Sequence, residues 1–282
     1  MNVVVVYNLS AGSAPLDMTD LYELCQKYDI RVEKFIRLDK NLRHNLAPYI
    51  KKSMTIAAVG GDGTLSAVAA CVAGTKSIFI PLPGGTLNHF AKDVGVAENI
   101  EIAIKNASRR HEVMVDIATV NKKVFINNAS LGLYPTSLRL RSRLEKYIGK
   151  WPAACVSALR TFAWFRVYKV TIDGETFRTP FVFVGNNKYT LNKLGIPERK
   201  TLDSGELSIF IARTPSRFEL LKIVGLTLLG KAKLLQNFDI RHGKEIVIKT
   251  HRHVHVACDG ETVRLQAPLH FKIRPRSLCM YI

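Results

Sequence analysis

Residues 60–64 read Gly-Gly-Asp-Gly-Thr, a single carboxylate among three glycines, and residues 83–86 repeat the device as Pro-Gly-Gly-Thr. Glycine at such points lets the backbone approach a ligand closely, and a helix that begins there offers N–H groups to an anion. The chemistry this suits is the holding of phosphate. The same residues also build tight turns with positive φ, and taken alone the sequence leaves both readings open. The acid Asp62 is harder to place by turn geometry, its structural alternative being an N-terminal helix cap. Two Asp-Gly-Glu tripeptides follow, at 173–175 and 259–261, each between alternating apolar runs where Asp-Gly signals a hairpin. His251, His253 and His255 fall at the spacing of one strand face, which matches no familiar zinc pattern and reads as a solvated or partly buried face.

These residues need elements to position them. Residues 55–59 are short, apolar and closed by glycine, as a buried strand is. Beyond the first glycine loop, Leu65, Val68, Ala69 and Val72 recur at helical spacing, with Gly74 as a natural stop. The loop is therefore a strand-to-helix turn. The same alternation runs through the first part of the chain: strands at 3–8, 31–38, 55–59 and 77–83, helices at 16–27, 41–51, 65–72, 86–95 and 99–108. This rhythm predicts a mostly parallel, doubly wound sheet, whose ligands bind beyond the carboxyl ends of the strands. Residues 8–13, 60–64 and 84–88 all fall there. After about Asp116 the pattern changes to strands joined by turns, with one basic helical segment at 137–150 and one amphipathic helix near 218–235. The expected architecture is an α/β nucleotide-binding domain over 1–116, to which residues 275–282 can return, and a β-rich, sandwich-like domain over 117–274.

Composition narrows the partners. The chain has 282 residues, is 47% hydrophobic and 23% charged, and carries a net charge of +18. Such a charge implies an anionic partner. The aromatics do not interleave with the basic residues as in nucleic-acid readers, so charge alone does not select nucleic acid over an acidic lipid surface, and the motifs must decide. The five cysteines are scattered and form no C-x-x-C pair, which argues for free thiols in a reducing compartment. No signal-like leader and no uncharged apolar run of membrane-spanning length is read in the sequence.

Five stretches taken in order, "YNLSAGS", "GGDGT", "PLPGGTLNHFAKDVG", "LDSGELSIFIAR" and the second "DGE", resemble the diacylglycerol kinase catalytic family, in its soluble bacterial lipid-kinase type. The resemblance runs over essentially the whole chain. It implies a two-domain enzyme that moves the γ-phosphoryl of ATP to a lipid hydroxyl with Mg²⁺. By that resemblance Asn8, Ser10 and Gly12, then Gly60, Gly61, Asp62, Gly63 and Thr64, then Gly84, Gly85, Thr86 and Asn88, would surround ATP. Asp62, an anion, would meet phosphate through the magnesium, and on this reading it matters little for folding. Glu261, helped by Asp259, would be the general base, while 173–175 is a plain hairpin turn. Thr201, Ser204 and Glu206 match the family's structural magnesium loop, which holds the ion largely through backbone oxygens, and Asp116 an acid of the same network. The sequence departs from the family at Leu9, His89 and Ser204, and at 186–200, where a glycine-rich loop is replaced.

The resemblance also implies a place of work at the inner face of the membrane, in the cytoplasm, with a lipid and no nucleic acid as partner. Arg139, Arg141, Arg143, Lys146 and Lys150 cluster in one segment, and Lys222, Lys231 and Lys233 border apolar residues in another. Both suit an anionic lipid surface. A homodimer is left open. Two other readings stand beside the lipid kinase: an NAD kinase-like enzyme, which shares GGDGT, and a catalytically silent lipid-binding homologue.

Overall fold

A computed structural model describes residues 1–8, 17–85, 88–96, 99–132, 167–191, 197–213, 216 and 238–282. The chain forms two compact units. The first is Met1–Ile117 with Thr201–Ser204 and Arg274–Ile282; the second is Ala118–Lys200 with Gly205–Ile273.

The first unit alternates β1 (Asn2–Tyr7), α1 (Met18–Lys27), β2 (Arg31–Arg37), α2 (Leu42–Lys51), β3 (Thr55–Gly60), α3 (Asp62–Val72), β4 (Phe79–Pro83), α4 (His89–Asp93) and α5 (Ile100–Ser108), and leads into β5 (Glu112–Val120). β1 is central, with Val3, Val4, Val5 and Val6 all buried, as both-faced burial in a parallel sheet demands. β2, β1, β3 and β4 lie side by side in that order, all parallel. The order reverses between β1 and β3. In such sheets the ligand crevice opens at this switch point, beyond the carboxyl ends of the strands. Asn8 follows one of these two strands and Gly61 the other. Behind the loop, α3 turns Leu65, Val68, Ala69 and Val72 into the core, the face that its spacing predicts. α1 starts at Met18 with Asp17 as its cap, Oδ1 accepting from Thr19 N–H at 3.2 Å.

The second unit is built from β6 (Lys123–Phe125), β7 (Asn128–Gly132), β8 (Tyr168–Ile172), β9 (Glu175–Thr179), β10 (Phe181–Asn186), β11 (Tyr189–Leu191), β12 (Pro197–Arg199), β13 (Leu207–Ala212), β14 (Phe238–Gly243), β15 (Glu245–Lys249), β16 (His253–Cys258), β17 (Glu261–Gln266) and the first part of β18 (Leu269–Tyr281). One antiparallel sheet runs β14-β13-β10-β7-β16-β17, and β18, β15, β8 and β9 form a second run. Alternate residues of both meet in one core, where Leu131, Val184, Ile209 and Val256 share a cluster with Ile172, Ile248 and Phe271. This is a sandwich, as the alternation predicts. Three details differ from the sequence reading. β14 and the short β11–β12 pair were not expected, because none carries a long alternating run. His251 precedes β16, so only His253 and His255 lie on that strand. Among the described residues no group of three His, Cys, Asp or Glu side chains could hold a metal. The basic segments at 137–150 and 218–235 lie outside the described residues. Among those described, no helix is long and apolar enough to cross a membrane.

Candidate active site

The two glycine loops of the first unit meet each other. β3 and β4 run in parallel register with Gly60 opposite Pro83, so the loops leave the sheet together. Gly84 N–H donates to Gly60 O at 3.0 Å. A Cβ on Gly85 would lie 2.4 Å from Gly61 Cα, and one on Gly84 would lie 3.0 Å from Gly60 N. Glycine is needed here for backbone to pass backbone, whatever else approaches. Asn88, at φ +51, locks the second loop: its Oδ1 accepts from Gly85 N–H and its Nδ2 donates to Gly85 O, both at 2.9 Å. Gly61 is the N-cap of the eleven-residue α3, with no side-chain cap bond. The first N–H groups of such a helix have no carbonyl of their own helix to bond, which makes its start an anion site. Asn8 joins from β1, its Nδ2 3.4 Å from Thr64 Oγ1. Gly63 sits in the first turn of α3. Ser10, Gly12 and Thr86 lie outside the described residues.

Asp62 does more than the sequence reading assigns to it. It occupies the first turn of α3, yet its carboxylate faces the second loop: Oδ2 accepts from His89 N–H at 3.1 Å and Oδ1 from Phe90 N–H at 2.9 Å. It caps a helix start, though that of α4 and not its own. Because His89 contributes its backbone here, the departure from the family at its side chain leaves the contact intact. These two bonds give Asp62 a part in holding the loops, beside the ligand-facing role expected of it. Asp62→Asn turns one acceptor into a donor facing an N–H. Bonds to a charged group are worth about 1.5–3 kcal/mol when buried and less at a surface. We expect a melting point lower by several degrees together with weaker ATP binding, read by calorimetry and nucleotide titration. An unchanged melting point would restore a purely ligand-facing role.

In the second unit, β16 and β17 form the expected hairpin, with Cys258 opposite Glu261 and Asp259 and Gly260 both at positive φ, +47 and +83. Glu261 is exposed, its Oε2 3.7 Å from Lys123 Nζ. Asp259 points the other way. Its Oδ2 accepts from Ile126 N–H at 2.8 Å, and its Oδ1 from Asn127 and Asn128 N–H at 2.8 and 3.1 Å. Asp259 thus anchors the turn, and Glu261 is the carboxylate left to face solvent. The thiol of Cys258 beside them is pushed up to about 12, by burial first and then by the charge of Asp259, so it offers no thiolate at neutral pH. The other tripeptide has the same turn, with Asp173 at φ +51 and Gly174 at +85, and Glu175 is engaged by Arg241.

The residues matched to a structural magnesium are only partly gathered. Asp116 is buried; its N–H donates to Leu202 O at 2.7 Å and its Oδ1 accepts from Arg276 N–H at 2.8 Å. It therefore draws the 201–204 loop to its own strand. Thr201 is exposed, Ser204 is half-buried, and Glu206 belongs to the second unit. Among the described residues no three acidic, histidine or cysteine side chains converge, so an ion in this loop would rest largely on backbone oxygens, as the resemblance implies.

The sequence reading missed Arg199. It is 7% exposed, and its guanidinium bonds Ile126 O at 2.7 Å and Asn127 Oδ1 at 3.0 Å. The only sequence signal was a pair of Asn-Asn dipeptides, 127–128 and 186–187, at strand ends in apolar surroundings.

Comparison with known proteins agrees with this layout. Residues 2–120 match the model of the diacylglycerol kinase catalytic domain. Residues 138–282 match that of the YegS C-terminal NAD kinase beta sandwich-like domain. A protein of Cronobacter sakazakii named "Probable lipid kinase YegS-like" is 38% identical over 131 residues, 44% of each chain. One of the same name from Klebsiella pneumoniae is 43% identical over 81 residues, 28% of this chain and 27% of that one. The chain thus spans less than half the length of the curated relatives it matches. A crystal structure of a diacylglycerol kinase from Bacillus anthracis shares the fold, with a TM-score of 0.70 at 24% identity, over 99% of this chain and 96% of that one.

Proposed function

Since the chain belongs to the YegS-like lipid kinases of the diacylglycerol kinase catalytic family, we propose that it transfers the γ-phosphoryl group of MgATP to a lipid hydroxyl, such as that of diacylglycerol. The observation that carries this reading is the start of α3, capped by no side chain and opening from a glycine loop packed backbone-to-backbone on a second one. Phosphoryl transfer asks a protein mainly to position phosphates and to meet their charge. Rigid N–H groups at a helix start do both, and they carry no side-chain entropy to lose. Asp62 keeps the two loops in register. Glu261 takes the proton from the lipid hydroxyl as its oxygen attacks the γ-phosphorus, and the bond from that phosphorus to the bridging oxygen breaks to release ADP. Asp259 holds the turn from which Glu261 projects. The net charge of +18 supports work at an anionic lipid surface.

The test supplies labelled ATP and magnesium with extracted lipids in one arm and NAD in another, and identifies the product by mass. A phosphorylated lipid is expected. Phosphorylated NAD would favour the NAD kinase-like reading, and binding of lipid without turnover the silent homologue.

A further inference from the structure

We propose that Arg199 is a positioning residue for the acidic hairpin, gripping the carbonyl side of the 126–128 turn while the Asp259 carboxylate holds its amide side. A buried arginine is rare unless its charge is met. Three carbonyl dipoles are among those that meet the guanidinium: Nη1 donates to Ile126 O at 2.7 Å and to Asn186 O at 3.3 Å, and Nη2 to Asn127 Oδ1 at 3.0 Å. The peptide between Ile126 and Asn127 receives Arg199 at its oxygen and offers its N–H to Asp259. One peptide dipole therefore lies between a cation at its negative end and an anion at its positive end, so that each charge strengthens the other's bond.

The rest of the turn is equally committed. Ile126 O also accepts from Asn186 Nδ2 at 2.9 Å, and Asn127 O accepts from Asn186 N–H at 2.9 Å and Tyr189 Oη at 3.3 Å. Asn128 O accepts from Asp259 N–H at 2.9 Å. Every backbone donor and acceptor of 126–128 has a partner. The turn leads directly into β7, which pairs with β16 through Ala129 opposite Cys258, the residue just before the hairpin's own turn. A shift of the turn must move Asp259, and with it Glu261. The two-pronged grip on adjacent acceptors needs a planar fork, which lysine cannot reproduce.

The functional half of this proposal rests on Glu261 as the proton acceptor, and the test separates the two. Arg199→Met and Arg199→Lys are compared with the unaltered protein by amide hydrogen exchange and by steady-state kinetics, with Glu261→Gln in parallel. Arg199→Met is expected to speed exchange at Ile126, Asn127 and Asn128 by about tenfold or more, with the amides of β1 and β3 unchanged. Turnover should fall about ten- to a hundredfold with KM for ATP unchanged, since small misplacement of a reacting group costs that much. Arg199→Lys should lie between, and it carries the same two readouts if Arg199→Met does not fold. Unchanged exchange at the three amides in the folded variants overturns the grip, whatever Glu261→Gln does. Faster exchange with full turnover, while Glu261→Gln is inactive, overturns the positioning role. A fully active Glu261→Gln instead removes the base assignment and leaves exchange to decide the grip.

Discussion

Glu261→Gln is expected to lower turnover by about 10²–10⁴-fold while ATP binding survives, the range a positioned general base contributes. The geometry sets this expectation. Glu261 opens β17 with its side chain 62% exposed, and the 3.7 Å contact to Lys123 is a surface pair of small energetic weight. The hairpin turn is held by Asp259, which three backbone N–H groups engage, so the amide variant leaves the turn its anchor. Surface replacements of this kind usually stay within about 0.5 kcal/mol, so an unchanged melting curve should accompany the lost turnover. Single-turnover phosphorylation at saturating ATP and lipid, beside nucleotide titration, reads both quantities. A variant with normal turnover at saturation but weak ATP binding would make Glu261 a nucleotide contact instead.

That division of labour within one tripeptide was only half legible in the sequence. Asp-Gly between alternating strands is a local signal, and the hairpin with both residues at positive φ follows from it. Which of the two acids holds the turn is not local. Asp259 finds its partners at 126–128, far away in the chain, because β7 and β16 are neighbours in the sheet. The same holds in the first unit. The switch from strand to helix at 60–64 is written in the change of apolar period, and Leu65, Val68, Ala69 and Val72 are buried as that period requires. That the carboxylate of Asp62 reaches α4, and that one glycine loop rests on the other, depends on the β3–β4 register, which periodicity does not specify. Arg199 was invisible for a further reason. It sits in a three-residue strand with no alternation to read, and a buried arginine looks in sequence like any surface arginine.

The glycine contact yields the second large effect, expected from Gly85→Ala: weaker ATP binding by at least about tenfold, together with a lower melting point. The added Cβ would lie 2.4 Å from Gly61 Cα, a distance real Cβ atoms do not show, with tight contacts to Asn88 Oδ1 at 3.0 Å and Gly61 N at 3.1 Å. The closest neighbour is backbone, so no side-chain movement relieves that contact, and the loops must part. Overpacking in close-packed surroundings costs about 1–3 kcal/mol, and each kcal/mol moves the melting point by roughly 2–4 °C at this domain size. Parting the loops also strains the bond from Gly84 N–H to Gly60 O and the paired bonds between Gly85 and Asn88. The functional loss is separate from the stability loss, because Gly61 is the N-cap of α3 and any displacement re-aims the N–H groups proposed to hold phosphate. Gly243→Ala is the matched control: its added Cβ would meet nothing closer than Glu245 O at 3.7 Å, an ordinary contact, and both ATP binding and melting should be retained. Nucleotide titration and calorimetry at a temperature where all three proteins are folded make the comparison. If Gly85→Ala melts early yet binds ATP at full strength when folded, the paired glycines serve the packing of two loops alone, and phosphate must be held elsewhere.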